Sequence, residues 1–165
     1  MKKLWMTVMV MATTMMAAPA LAQSVIKVQA TIPFAEDNDI SDNIKTECRL
    51  GKELAGFVKQ YANVPVELVD GPLQTDSGHV LQLTITDAVS VGNAWMGHQK
   101  FTKIKGTLFE NGKKVASFKA RRNSMGGAFA GFKGSCAVLS RTVEALGEDV
   151  GGWLKNPRDG ATIGD

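Results

Sequence analysis

The glycine-rich stretch RRNSMGGAFAGFKGSC, residues 121–136, carries the residue types of a phosphate-binding loop. A nucleotide loop follows G-x-x-x-x-G-K-[ST], in which backbone N–H groups cradle the phosphates and the lysine reaches the outer phosphate. Gly126 and Gly131 have this spacing, but Phe132 takes the lysine position and Lys133 comes one residue late. The spacing therefore argues against a nucleotide site and leaves open a simple anion at the start of the following helix, beside Lys133.

Two cysteines and two histidines are the other side chains that could carry chemistry. In an exported chain, an even cysteine count predicts a disulfide between Cys48 and Cys136, with two buried thiols as the alternative. There is no C-x-x-C, G-x-S-x-G or H-E-x-x-H motif, and His79 and His98 lie far apart in the sequence. We therefore predict no catalytic residue, no metal and no cofactor, and keep a small secreted enzyme or enzyme inhibitor as an alternative.

Residues 1–22 have the pattern of a signal peptide. A short positive start precedes a mostly apolar run, and Ala20-Leu21-Ala22 supplies the small residues of a cleavage site. The alternative is an N-terminal membrane anchor. We expect a periplasmic or secreted protein after cleavage near Ala22, with residues 23–165 forming one domain that ends in a short polar tail from about residue 156.

Charge is divided unevenly along the mature chain. Residues 23–99 hold 5 basic and 10 acidic side chains, whereas residues 100–165 hold 12 basic and 6 acidic ones. The basic half predicts a surface for an anionic partner, and a solvated sheet face is the alternative. Nucleic acid does not fit a periplasmic protein, and no interleaved aromatic residues mark a base-stacking surface.

Hydrophobic periodicity predicts an α/β fold in the order β-α-β-β-β-β-α. The predicted strands cover residues 24–32, 64–69, 79–91, 101–109 and 114–122. One helix is predicted over 40–61, and a second begins at Ser135 as N-cap and stops at residues 156–157. Because both helices are amphipathic, we expect a two-layer sandwich with about five mixed strands and both helices on one face.

The hairpin between the fourth and fifth strands decides which residues share a face. We expect a three-residue loop at 110–112 with Gly112 left-handed in a bulge, since a two-residue turn would pair Ile104 with Lys119. Residues 104, 106 and 108 then share the apolar face with residues 116, 118 and 120. Lysine and arginine side chains occupy the opposite face, with Lys103 expected opposite Lys119; they are Lys103, Lys105, Lys119 and Arg121.

Three aromatic residues lie in two glycine-containing loops, 91–99 and 123–134. The third and fifth strands should run in the same direction, so the loops that follow them emerge at the same end of the sheet. We predict a partner-binding or membrane-contacting edge formed by Trp95, Met96, His98, Phe129 and Phe132. The alternative is that the two phenylalanines pack under the second helix and Trp95 covers the core.

The order of elements resembles that of bacterial envelope domains, namely the N-terminal domain of the TolB protein and the curli-secretion lipoprotein. The run GSCAVLSRTVEALGEDVGGWLKNP, residues 134–157, resembles small uncharacterised proteobacterial exported proteins. The first resemblance is topological over most of the mature chain, and neither implies catalytic residues. Lipid-anchored members carry a lipobox cysteine that this chain lacks.

These observations together favour a non-catalytic binding or assembly domain of the cell envelope. The expected partner is an envelope component or a protein, anionic if the basic face binds it, and peripheral membrane contact fits the aromatic edge. The second alternative is a subunit of an envelope oligomer.

Overall fold

Alternating apolar and polar residues along the strands give the sheet one face that packs under helices and one that faces solvent. In the computed structural model, the chain is described over residues 24–93, 97–124 and 134–165, with only the backbone described for 91–93 and 97–99. These residues form six strands and three helices, in chain order β1 Ile26–Gln29, α1 Asp42–Glu47, α2 Leu50–Tyr61, β2 Val66–Val69, β3 His79–Asn93, β4 Gly97–Glu110, β5 Lys113–Asn123, α3 Ser135–Trp153 and β6 Ala161–Gly164.

The sheet is mixed, with the strand order β2-β1-β3-β4-β5-β6. β1 lies parallel to both β2 and β3, β4 is antiparallel to β3 and β5, and β6 is parallel to β5. The predicted two-layer α/β sandwich is confirmed, and β3 and β5 run in the same direction as expected.

The core lies between the sheet and the two longer helices. Leu81, Ile85 and Ile104 from the central strands are at most 1% exposed. The apolar positions of α3 that step by three and four residues are buried against them, at Leu139, Val143, Leu146, Val150 and Trp153. This confirms the periodic pattern of the last helix, although its N-cap is Gly134 and Ser135 is its first helical residue, so the predicted cap was wrong by one position.

The predicted first helix is divided into α1 and α2. Cys48 is extended, with φ −97° and ψ 129°, and Ile32 N–H donates to the carbonyl oxygen of Gly51 at 3.2 Å. A side chain at Gly51 would collide with Ile32 backbone atoms. Tertiary contacts at the junction therefore interrupt a helical pattern that is continuous in the sequence.

A disulfide joins Cys48 to Cys136 in the first turn of α3, with the two Cα atoms 5.1 Å apart. It confirms the predicted pairing and closes 88 residues of chain. The chain-entropy model assigns such a loop a stabilisation of about 4–5 kcal/mol. The bond fastens the α1–α2 junction to the helix layer.

The β4–β5 hairpin separates the apolar and basic faces as predicted, but with a different turn and a different register. Asn111 and Gly112 both have positive φ, 48° and 83°, as a two-residue type I′ turn requires. The extra residue is Val115, because Phe109 pairs with Lys114 and Leu108 pairs with Ala116. The predicted bulge at Gly112 was wrong, but the bulge at Val115 places Ile104 opposite Ala120, so the apolar residues share one face as predicted.

Part of the polar tail predicted from about residue 156 is a strand of the sheet. Residues 161–164 form β6, the edge strand beside β5. Asp165 N–H also donates to the carbonyl oxygen of Arg121 at 3.0 Å. A return through a helix is the usual connection between parallel strands, and α3 supplies it between β5 and β6.

Strands β3 and β4 are longer than predicted. Their ladder continues through Gly92 paired with His98 to Asn93 paired with Gly97. Residues 91–93 and 97–99 were predicted as loop and instead extend a hairpin, because each strand completes the backbone hydrogen bonds of the other.

Candidate functional site

Four basic side chains form a compact block on the face of the sheet opposite the helices. Lys103 and Lys105 lie on β4, and Lys119 and Arg121 lie on β5. Lys103 is opposite Arg121 and Lys105 is opposite Lys119, so the predicted Lys103–Lys119 pair was wrong by two residues. We call these four residues the outer basic face. Side chains directly opposite each other on antiparallel strands have Cβ atoms about 5 Å apart.

Two of the four cations are partly compensated. The Lys103 Nζ atom donates to Asp87 Oδ2 at 3.0 Å across the β3–β4 ladder. Arg121 donates to Asn123 Oδ1, and its Cζ atom lies 4.3 Å from the centroid of the Phe101 ring. The Lys103 Nζ atom lies 4.9 Å from the same centroid. These cation–π contacts hold both charged groups over a ring that is 8% exposed.

Lys105 and Lys119 have no such compensation. Both are exposed, and none of the described carboxylates forms an ion pair with either of them. Like charges directly opposite each other on neighbouring strands destabilise the pairing. The centre of the outer basic face therefore carries positive charge that the described part of the fold leaves unbalanced.

A groove of about 350 Å³ runs over this block. All four cations line it, together with the hydroxyl-bearing residues Thr86 and Thr162. A second groove of about 510 Å³ shares Lys105, Lys119 and Thr162 with the first and continues to Lys114 and Ser117. The two form one basic trough across β4, β5 and the edge strand β6.

The underside of β5 is anchored to the helix layer by Arg122. Its Nε and Nη2 atoms donate to Asp149 on α3 at 2.7 and 2.6 Å, and its Nη1 donates to Asp165 at 2.7 Å. These hydrogen bonds, chiefly those to Asp149, raise the pKa of Arg122 above its ordinary value. Arg122 is thus a structural cation, unlike its neighbour Arg121.

Asp165 and Asp159 hold the edge strand β6 in place. The Asn123 backbone N–H, and then Arg122, keep the pKa of Asp165 below its ordinary value. The Ser117 hydroxyl at 2.6 Å, and then Lys114 at 2.9 Å, lower the pKa of Asp159. Lys114 is therefore also paired, which leaves Lys105 and Lys119 as the least compensated lysines of the trough.

The predicted aromatic edge is not tested by the structure. Trp95, Met96, Phe129 and Phe132 lie outside the described residues, and His98 is placed only as a backbone position of β4, opposite Gly92. β3 and β5 do end at the same end of the sheet, where Ser124 N–H donates to the carbonyl oxygen of Lys100 at 2.8 Å. The aromatic contribution to binding stays a prediction.

The two cysteines and His79 make contacts that are structural rather than catalytic. Cys48 and Cys136 are bonded to each other, and His79 begins β3 with its Nε2 atom 3.8 Å from Glu110. Across residues 24–93, 97–124 and 134–165, no three His, Cys, Asp or Glu side chains are grouped so that they could hold a metal ion. Within those same ranges, no helix has the length and apolar character that a membrane span requires.

Asp87, Thr86 and Thr162 were not predicted as site residues. Asp87, predicted only as part of the strand 79–91, pairs with Lys103 across the β3–β4 ladder. Thr86 lines the groove beside a register shift between Ile85 and Asp87, and Thr162 lines it from a strand that was not predicted. The Asp residues at 159 and 165, on either side of a short β-prone segment, were the only sequence signal for β6.

No protein-family model matches the chain, and no curated protein matches it in sequence. The fold is similar to a solved Xanthomonas campestris protein of the DUF330 family, at 14% identity over 83% of this chain and 88% of that one, with a TM-score of 0.48. It is similar to the PelC dodecamer from Paraburkholderia phytofirmans, at 9% identity, 81% and 93% coverage and a TM-score of 0.45. It is also similar to a minor lipoprotein from Acinetobacter baumannii, at 8% identity, 81% and 94% coverage and a TM-score of 0.42. At these identities and TM-scores, the similarity says nothing about what this chain binds.

Proposed function

We propose that the mature chain is a periplasmic binding domain that holds an anionic envelope component on its outer basic face and performs no chemistry on it. The observation that carries the proposal is the groove over β4 and β5. It is lined by all four cations of that face and by the hydroxyl-bearing residues Thr86 and Thr162.

An anionic ligand would remove the electrostatic cost of this arrangement. Lys105 and Lys119 lie opposite each other without a carboxylate partner among the described residues. A phosphate or carboxylate between them would exchange repulsion for charge-assisted hydrogen bonds, which are about twice as strong as neutral ones. Arg121, held over Phe101, presents a planar guanidinium suited to the same groups.

The proposed compartment follows from the sequence of residues 1–22 and from the disulfide. The leader pattern directs the chain out of the cytoplasm, and the Cys48–Cys136 bond is of the kind that persists in an oxidising compartment. With both cysteines in that bond, neither thiol is free for chemistry.

A binding experiment with a charge-reversed face tests the proposal. Mature protein is mixed with lipopolysaccharide, or with vesicles containing phosphatidylglycerol, at low and at high salt. We expect the protein to bind the lipopolysaccharide or the vesicles at low salt and to be released at high salt, because exposed charges are screened within about 10 Å at 0.1 M. Lys105→Glu/Lys119→Glu should weaken retention by about tenfold or more.

The matched control is Lys59→Glu/Arg141→Glu, which makes the same change in net charge on exposed positions of α2 and α3. The control should bind as the wild type does. Equal weakening in the two variants, or retention that ignores salt, would refute the proposed site. Preference for lipopolysaccharide or for vesicles tells which envelope component supplies the anion.

A subunit role in an envelope oligomer is the second candidate. The sheet ends in two four-residue strands, β2 and β6, each with an edge that no other described strand covers. The molecular mass of the mature protein in solution separates this candidate from a monomeric binding domain.

A further inference from the structure

A separate groove of about 350 Å³ lies between residues 31–34, which follow β1, and residues 45–52, which span the α1–α2 junction. It shares no lining residue with the outer basic face. Its apolar lining includes Ile32, Pro33 and Phe34, and its charged lining consists of Lys45, Arg49 and Lys52. The volume falls within the usual range for small-molecule sites, about 300–1,000 Å³.

The charge of this groove is opposite to that of the chain around it. Residues 23–99 hold only five basic side chains, and three of those five line the groove. No Asp or Glu is among the lining residues. Among the described residues, the ion pair that involves one of these cations joins Lys45 to Asp42 at 3.9 Å, and the Asp42 side chain is 95% exposed, so it offsets little of the charge.

The apolar lining is held by backbone bonds on both sides. Ile32 donates to Gly51 on α2 at 3.2 Å, and Ile85 on β3 donates to the carbonyl oxygen of Pro33 at 2.9 Å. Ala35 donates in turn to the carbonyl oxygen of Ile85 at 2.8 Å, which fixes Phe34 between the two bonds. The groove is therefore preformed and does not depend on ordering a loop.

We propose that this groove binds a single-chain amphiphilic anion, with the apolar chain against Pro33 and Phe34 and the anionic head between Lys45, Arg49 and Lys52. The apolar lining removes hydrocarbon from water, and the three cations select a phosphate, sulfate or carboxylate head. This site lies outside the outer basic face and is independent of the function proposed for that face.

Titration of the mature protein with dodecyl phosphate, below its micelle-forming concentration, tests the proposal by calorimetry. Inorganic phosphate supplies the head without the chain, and dodecyl maltoside supplies the chain without the charge. We expect dodecyl phosphate to bind at least about tenfold more tightly than inorganic phosphate, since burial of only a few methylene groups accounts for that factor. It should also bind more tightly than dodecyl maltoside, because the uncharged head makes no charge-assisted hydrogen bonds to the three cations. Equal binding of inorganic phosphate or of dodecyl maltoside would overturn it, as would no binding at all.

Two variants locate the binding in the groove. Arg49→Glu/Lys52→Glu should weaken dodecyl phosphate binding by about tenfold, while the control Lys59→Glu/Arg141→Glu should not. Thr31→Trp places a large side chain at an exposed position of the lining without changing charge, and it should block binding as well. Unchanged affinity in both groove variants would refute the site. The outer-face variant Lys105→Glu/Lys119→Glu should retain full affinity, which separates this result from failure of the proposed function.

Discussion

The two faces of strands β4 and β5 differ in burial and in charge. Ile104 and Ala120 are paired on the helix side and almost completely buried, whereas Lys105 and Lys119 are paired one residue further along on the open side. The helix side is fastened by a disulfide and by Arg122 between Asp149 and Asp165. The open side places like charges together. The buried helix side therefore stabilises this fold, whereas the like charges on the open side lower its stability.

That division predicts that neighbouring residues on one strand have separable effects. Substitutions on the helix side should change the free energy of unfolding without changing ligand affinity. Substitutions on the open side should change ligand affinity with only a small change in the free energy of unfolding. Three experiments test this, in decreasing order of expected effect.

The largest effect is expected for Ile104→Ala. Ile104 is 1% exposed, and truncation of a buried aliphatic side chain lowers the free energy of unfolding by about 2–5 kcal/mol. Denaturant unfolding measures the loss, and the folded variant should still bind the anionic ligand of the outer basic face. A loss below about 1 kcal/mol would contradict the assignment of Ile104 to the core.

A smaller effect of opposite sign is expected for Lys105→Thr. Removing one of two like charges on opposing strands should raise the free energy of unfolding by about 0.2–1 kcal/mol, while anion binding weakens. Lys27→Thr is the control, because Lys27 on β1 is also an exposed strand lysine but lies beside Glu67 of β2. If Lys105→Thr destabilises the protein as much as Lys27→Thr does, the repulsion at the centre of the outer basic face is not real.

The smallest effect on stability is expected at β6, the edge strand beside β5. Hydrogen bonds lower the pKa values of Asp159 and Asp165 in the folded state. The stabilisation is therefore complete above the ordinary aspartate pKa, about 3.9, and is lost as the pH falls through the lower folded-state values. Amide hydrogen exchange of Ile163, corrected for its intrinsic pH dependence, should show β6 opening more readily over this range.

Asp159→Asn/Asp165→Asn is the matched variant for that experiment. It should open more readily than the wild type at neutral pH and lose the additional acid dependence. Acid dependence that persists in this variant would mean that other groups hold the strand.

The parts of the fold that were predicted correctly have long local patterns. The apolar positions of α3 repeat over nearly five turns, and the alternation in β3, β4 and β5 fixed which residues face the helices. All four cations of the outer basic face followed from that alternation. The division of α1 from α2 was not predictable, because it depends on contacts of Cys48 and Gly51 with distant segments.

The grooves themselves also had no sequence signature. Thr162 lines the basic trough from β6, a four-residue strand that depends on β5 for its hydrogen bonds. The separate groove between residues 31–34 and residues 45–52 depends on backbone hydrogen bonds that no periodic pattern in the sequence indicates. Positions along a strand or helix could be assigned from the sequence, whereas meetings between distant segments could not.

The bulge at Val115 bears on how the length of this chain can change during evolution. Val115 is 44% exposed and is the one residue of the hairpin that opposes no residue of its own on β4. Deleting it would leave a regular ladder with every later side chain on its present face. Deleting one residue further along β5 would instead move lysines inward and apolar residues outward. We therefore expect homologous chains of different length to differ by one residue at Val115 rather than within the rest of β5.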